Sequence, residues 1–231
     1  MLATKPTAKA LRPIERAATP TRERIRAIAE DLYVLRGHDG FSFGDIATEI
    51  GTTRANIHHH FGSKRQLMAE LIGKFATDAE ERIALNWTRK DARFAERLVA
   101  QIGDLRHFYN RFNKRPGDRH VWSPLSRLRL DLPVLGELAT SALERIDHAY
   151  DVSLRRAVKD AVKAGELVVA TPVDDVARVL RMTLLSCAPI TQDTGSFREV
   201  ERLLATLGRM IAAAWATPES KRARRRTGAG P

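Results

Sequence analysis

The chain has 231 residues, 43% of them hydrophobic, enough apolar material for one large domain or a small domain joined to a larger one. No run approaches the roughly 18 consecutive apolar residues of a membrane span, and Met1 to Pro20 lacks the apolar stretch of a secretory signal, so a cytoplasmic protein without membrane contact is expected. The formal net charge of +11 suggests an anionic partner, while Cys187, the single cysteine, excludes an intrachain disulfide framework and a cysteine-rich zinc site.

Taken in chain order, residues 1–20 carry +3 and are expected to form a basic arm over 1–19. Apolar residues then recur at helical spacing, and the alternation of a strand is nearly absent. Ile25, Ile28, Leu32 and Leu35 mark the stripe of a first helix, with Thr19 and Pro20 at its start and Gly37 as its stop. A short second helix follows, capped by Ser42 with Asp45 three residues on, apolar at Ile46, Ala47 and Ile50, and ended by Gly51. Thr53 caps a third that runs to about Phe61; Gly62 breaks the chain, and Ser63 caps a fourth bearing Leu67, Leu71 and Phe75.

Further helices are expected from about Asp91 to Phe112, around Ser123 to Arg129, and from near Pro133 to Gly165. The next starts at Thr171–Pro172, and Ser196 with Glu199 reads as a capping box for the last. Loops fall at Lys114–Gly117 and Gln192–Gly195, and residues 218–231 form a basic tail of +4. The expected fold is all-α, about nine helices without internal repeat. It divides into a helix-turn-helix domain over 20–66 and a larger helical domain over 67–217.

The stretch Ser42 to Lys64 carries the function. Two short capped helices joined at Gly51–Thr52 form a helix-turn-helix, whose second helix lies in the DNA major groove. Ile57 and Phe61, four apart, turn inward with Ile46 and Ile50, which leaves Arg54, Asn56, His58 and His59 outward. Arg offers a fork of donors to guanine and Asn can bind adenine. The hydroxyls of Thr52 and Thr53 suit phosphate oxygens, and Lys64 is a point charge for the backbone. Residues 21–73 have no net charge, so bulk basicity does not carry this reading. His58, His59 and His60 diverge by about 100° each on a helix and cannot close around one ion, so no metal is expected. No cofactor is expected either, and without GxSxG, Walker A, GxGxxG or zincin patterns the chain does not read as an enzyme.

Thr21–Arg22–Glu23, Asp45–Ile46–Ala47, Gly51 and His60–Phe61–Gly62–Ser63–Lys64 together resemble the signature of the tetracycline-repressor (TetR) family over about residues 20–70. The resemblance implies DNA contacts from Ser42, Thr52, Thr53, Arg54, Ala55, Asn56, His58, His59 and Lys64. Two positions depart from the family pattern: position 58 is usually Tyr and here His, and position 44 is often Arg or another polar residue and here Gly. The family also implies a sequence-specific regulator, most often a repressor, released from a palindromic double-stranded DNA operator by a small-molecule effector. An architectural DNA binder without an effector is the alternative.

Wide apolar stripes on the last two long helices include Val176, Val179, Leu180, Thr183 and Leu184 on one, and Val200, Leu203, Leu204, Leu207, Ile211 and Trp215 on the other. With the family's habit of pairing these helices across a twofold axis, they imply a homodimer. Val176, Leu180, Leu184, Val200, Leu204, Leu207 and Ile211 are the expected interface. Trp87, His107, Phe108, Phe112, Trp122, Tyr150 and Met182 are the expected effector contacts, with His148 and Cys187 as further candidates.

Overall fold

The computed structural model describes residues 22–220, and these contain eleven named helices: α1 (Arg22–Arg36), α2 (Phe43–Ile50), α3 (Arg54–Phe61), α4 (Lys64–Trp87), α5 (Phe94–Phe112), α6 (Pro124–Leu130), α7 (Leu132–Leu135), α8 (Glu137–Lys163), α9 (Val173–Leu185), α10 (Cys187–Thr194) and α11 (Arg198–Trp215). The only β-type pairing among these residues is an isolated bridge between Leu167 and Ala216. The all-α expectation therefore holds. The basic arm over 1–19, the start signal Thr19–Pro20, Thr21, and residues 221–231 of the basic tail lie outside the described residues.

Helix starts follow the short polar residues that the sequence placed there. Ser42 and Asp45 form a complete capping box: the Asp45 carboxylate accepts the Ser42 N–H at 2.8 Å, and the Ser42 hydroxyl accepts the Asp45 N–H at 3.4 Å. Thr53 and Ser63 accept from the third residue of α3 and α4 in the same way. Gly51 closes α2 in the left-handed conformation at φ 76°, and its N–H reaches back to Ala47 and Thr48. The Ser42 hydroxyl and backbone N–H hold the Asp45 carboxyl below the usual carboxylate range. Ser42→Ala should cost the domain about 1 kcal/mol at pH 7, read as a lowered midpoint of thermal unfolding. Because the Asp45 pKa is depressed on folding, its contribution is complete above the ordinary carboxylate pKa and disappears as pH falls through the lowered one.

Several boundaries differ from the pattern reading. The helix expected from Pro133 to Gly165 is two, because Gly136 adopts φ 52° and ends α7 before α8 begins. Its apolar spacing continues across the break, so periodicity alone could not see it. The helix after Pro172 is likewise interrupted at Ser186. Pro189 has no N–H to offer the Leu185 carbonyl four residues back, so α9 stops and α10 starts anew. The loop expected at Gln192–Gly195 is mostly the end of α10, with Gly195 as its stop. The Ser196–Glu199 capping box does not form: α11 starts one residue later, Ser196 accepts from the Arg198 N–H, and Glu199 pairs with Arg202. On α1, Tyr33 and Val34 are buried while Leu35 is exposed.

The α4 helix crosses the boundary expected at 66/67 and belongs to both units. Leu67, Met68, Leu71 and Ile72 are buried, and Tyr33 of α1 stacks on Phe75 at 5.9 Å. Farther along, α4 lies against α8, which in turn packs on α9. A second joint ties the helix-turn-helix to the body. The Arg127 guanidinium on α6 donates to the carbonyls of Val34 (2.9 Å) and Leu35 (3.0 Å), orphan acceptors at the end of α1. Asp131 accepts the N–H of His38 at 2.9 Å.

Candidate functional site

In α3 the helical period sorts side chains as expected. Ile57 and Phe61 are buried against Ile46 and α1, whereas Arg54, Ala55, His58 and His59 are exposed and Asn56 is half-buried. Arg54 makes no ion pair among the described residues, so its donor fork is available. One N–H of the Asn56 amide donates to Thr52 Oγ1 at 3.0 Å, which fixes the side chain and leaves its oxygen and second N–H outward. The exposed Thr53 and the half-buried Thr52 stand at the helix start, where backbone N–H groups favour an anion.

His58 is held on two sides. Its ring meets Phe43 edge-on at 4.7 Å, and Nδ1 lies 3.0 Å from the Gly62 carbonyl. A carbonyl only accepts, so Nδ1 donates there and Nε2 is the nitrogen left to face outward. His60 is turned partly toward the core, with Arg22 donating to its carbonyl, pairing with Glu70 and covering Phe61 at 4.4 Å. Gly44, where the family often has a polar side chain, gives α2 no reach of its own.

Lys64 is placed differently from a free surface charge. Its ammonium donates to the carbonyls of His38 and Phe41, the latter at 2.6 Å, and lies 4.7 Å from the centre of the Phe41 ring. Burial pulls its pKa below the ordinary lysine value, against the pull of Asp39, Asp45 and Asp131. Two of its three donors are therefore occupied in fastening the α1–α2 turn to α4. Lys64→Met, which keeps the apolar stem and removes the ammonium, should lower the stability of the domain by about 1–3 kcal/mol, as measured by denaturant unfolding. An unchanged unfolding midpoint would show that these contacts add no net stability.

The body contains a cavity of about 330 Å³ bounded by α1, α4, α5, the start of α6, α8 and the α9–α10 junction. Of the expected effector contacts, Phe108, Trp122 and Tyr150 line it. The other four do not. Trp87 is wholly buried in the core and donates its indole N–H to Gln101 at 2.8 Å; Phe112 is buried beneath Arg111. His107 is exposed on α5, and Met182 faces outward with 56% of its surface accessible. His148 is exposed, and Cys187 is buried beside the cavity without lining it; burial pushes its thiol up to about 12. An aromatic at helical spacing reports that a face is apolar, not which cavity it meets.

The pattern reading missed the charges in this cavity: Glu30, Lys74, Asp78, Arg82, Asp104 and Arg111. A signal existed. Lys74, Asp78 and Arg82 follow each other at four-residue steps on α4, beside Phe75, Ala79 and Ile83, so a charged line runs along an otherwise buried face.

The dimer-interface expectation needs correction too. Val176, Leu180, Leu184, Val200, Leu204 and Ile211 are buried within the single chain, and Leu207 is partly buried against the same core. Residues consumed by their own protomer cannot cover a partner. The apolar residues left outside on these helices are Val179 and Met182 on α9 and Leu203 and Met210 on α11, between 40% and 63% exposed.

A capped helix-turn-helix with a polar outer face, joined through one continuous helix to an all-helical body with a partly open cavity, defines a class of DNA-binding regulators. Residues 25–71 match the family described as bacterial regulatory proteins, tetR family. Solved structures share the fold over most of the chain. Reduced NemR of E. coli is 19% identical with a TM-score of 0.68, covering 85% of this chain and 97% of its own. A TetR-family transcriptional regulator from Agrobacterium tumefaciens is 21% identical at 0.67, with coverages of 85% and 97%. One from Legionella pneumophila is 18% identical at 0.66, with 86% and 100%. No curated protein matches the sequence. Residues 25–71 thus form a DNA-binding domain of the tetR-family type, and the chain shares the fold of TetR-family transcriptional regulators over most of its length.

Proposed function

We propose that this regulator acts as a cytoplasmic homodimer that reads a palindromic operator with α3 and is released from it when a small molecule enters the body cavity, which makes it a repressor. The outer face of α3 carries this reading: Arg54, Asn56 and His59 lie opposite the buried Ile57 and Phe61, Arg54 has no ion-pair partner among the described residues, and His59 is exposed with only an edge contact to the neighbouring His60 ring. Ser42, Thr52, Thr53 and Ala55 complete the surface, with hydroxyls for phosphates and one methyl for a thymine methyl. The cavity supports an effector over a purely architectural role, because it lies between the two joints that hold α1 to the body. No described helix is long and apolar enough to cross a membrane. Selection of binding sites from random-sequence duplex DNA tests the proposal. An enriched inverted repeat, with half-sites about one helical turn apart or nearly so, is the expected result; recovery of unrelated sequences would refute sequence-specific reading.

A further inference from the structure

The cavity is not confined to the body, because one of its walls is Glu30 on α1, a residue of the DNA-binding domain itself. The charges around Glu30 are unevenly matched. Arg111 divides its guanidinium between two neighbours on α1: Nη1 donates a single long hydrogen bond to Glu30 at 3.4 Å, and Nη2 lies 2.5 Å from Asp31 as an ion pair. The closer contact goes to the more exposed acid: the Asp31 side chain is 42% accessible and that of Glu30 only 16%. Lys74, the other cation near Glu30, is paired with Asp78. Arg82 lies over the Phe108 ring at 4.5 Å and faces Asp104 at 3.7 Å, too far for a hydrogen bond. Burial raises the carboxyl pKa of both Glu30 and Asp104, more than their cationic neighbours lower it. Apart from Ser123 and the Tyr150 hydroxyl, the rest of the wall is apolar and aromatic, including Phe75, Phe108, Trp122 and Ile146, and the Trp122 N–H is already given to Thr191.

We infer that the effector is an organic cation with an aromatic or apolar body, its ammonium group docking on the under-partnered Glu30 carboxylate and its body on Phe75, Phe108 and Trp122. A ligand so placed supplies the close cation that Arg111 gives to Asp31. Since it touches α1 directly, it biases the position of the reading domain without a relay through the body. This rests on the proposed effector-controlled reading and names the chemistry of its ligand.

The test uses the full chain without DNA and three soluble probes of one skeleton: phenethylammonium, 2-phenylethanol and phenylacetate, titrated calorimetrically. Phenethylammonium should bind at least about tenfold more tightly than the neutral alcohol, as a charge-assisted contact with a carboxylate requires, and phenylacetate should bind weakest. In Glu30→Gln the ammonium's advantage should disappear, whereas Phe108→Ala should weaken ammonium and alcohol alike. Equal or tighter binding of the alcohol or the carboxylate, binding of none of the three, or a cation preference that survives Glu30→Gln would overturn the inference. The wild-type comparison decides the matter even if a variant does not fold. Operator binding measured on the same preparations separates the two levels: if it persists while the cation preference fails, only the ligand class is wrong.

Discussion

Arg54→Ala should weaken binding to the selected operator by about 1–3 kcal/mol per subunit and flatten the preference at one base position in each half-site. The residue is exposed, has no ion-pair partner among the described residues, and stands on the first turn of α3, so nothing in the protomer depends on it. Its loss should leave unfolding within about 0.5 kcal/mol of wild type, the usual range for surface changes. Asn56→Ala should show a comparable loss at a different base position. Here a small stability cost is expected as well, because the amide donates to Thr52 Oγ1. In the proposed dimer two such helices are presented, so either change should act twice on one operator. Site selection repeated with each variant, alongside equilibrium binding to the wild-type site, measures both quantities. If affinity and base preference survive both substitutions, α3 is not the reader.

The second large effect concerns assembly. Leu203→Glu and Met210→Glu should convert the proposed dimer to a folded monomer, because each places a carboxylate on an α11 face that is exposed in the protomer and would be desolvated against a partner. An unpaired charge buried in this way costs several kcal/mol. Leu204→Glu differs by one position and about 100° of helix rotation, and points into the core where Leu204 has no accessible surface. It should unfold the body outright. Sedimentation combined with circular dichroism distinguishes the two outcomes. A dimer that persists in Leu203→Glu and Met210→Glu would move the interface elsewhere. Loss of dimerisation should also abolish tight operator binding, since two half-sites would then be held independently.

The division between what sequence and structure contributed follows from the range of the interactions. Helix existence, the caps at Ser42, Thr53 and Ser63, the turn at Gly51, and the inward and outward faces of α3 were legible in the sequence, because each depends on partners within about four residues. The family resemblance lay in that same segment, and the family match covers residues 25–71. Breaks that leave the apolar period intact, at Gly136 and Ser186, were not legible, since a buried stripe can continue across a change of axis. Nor could the stripes on α9 and α11 say which apolar residues their own protomer consumes. That depends on which neighbour sits on each face, so Leu204 is core and Leu203 is surface although they are adjacent. The cavity is the extreme case, because Glu30 and Arg111 are 81 residues apart in sequence and meet only where α1 lies against α5. By itself the sequence determined an all-helical fold, the helix-turn-helix, and which side chains of α3 face outward. Only the tertiary structure decided where the cavity lies, which charges enter it, and that it opens onto the DNA-binding domain, because long-range packing sets these and no local period records it.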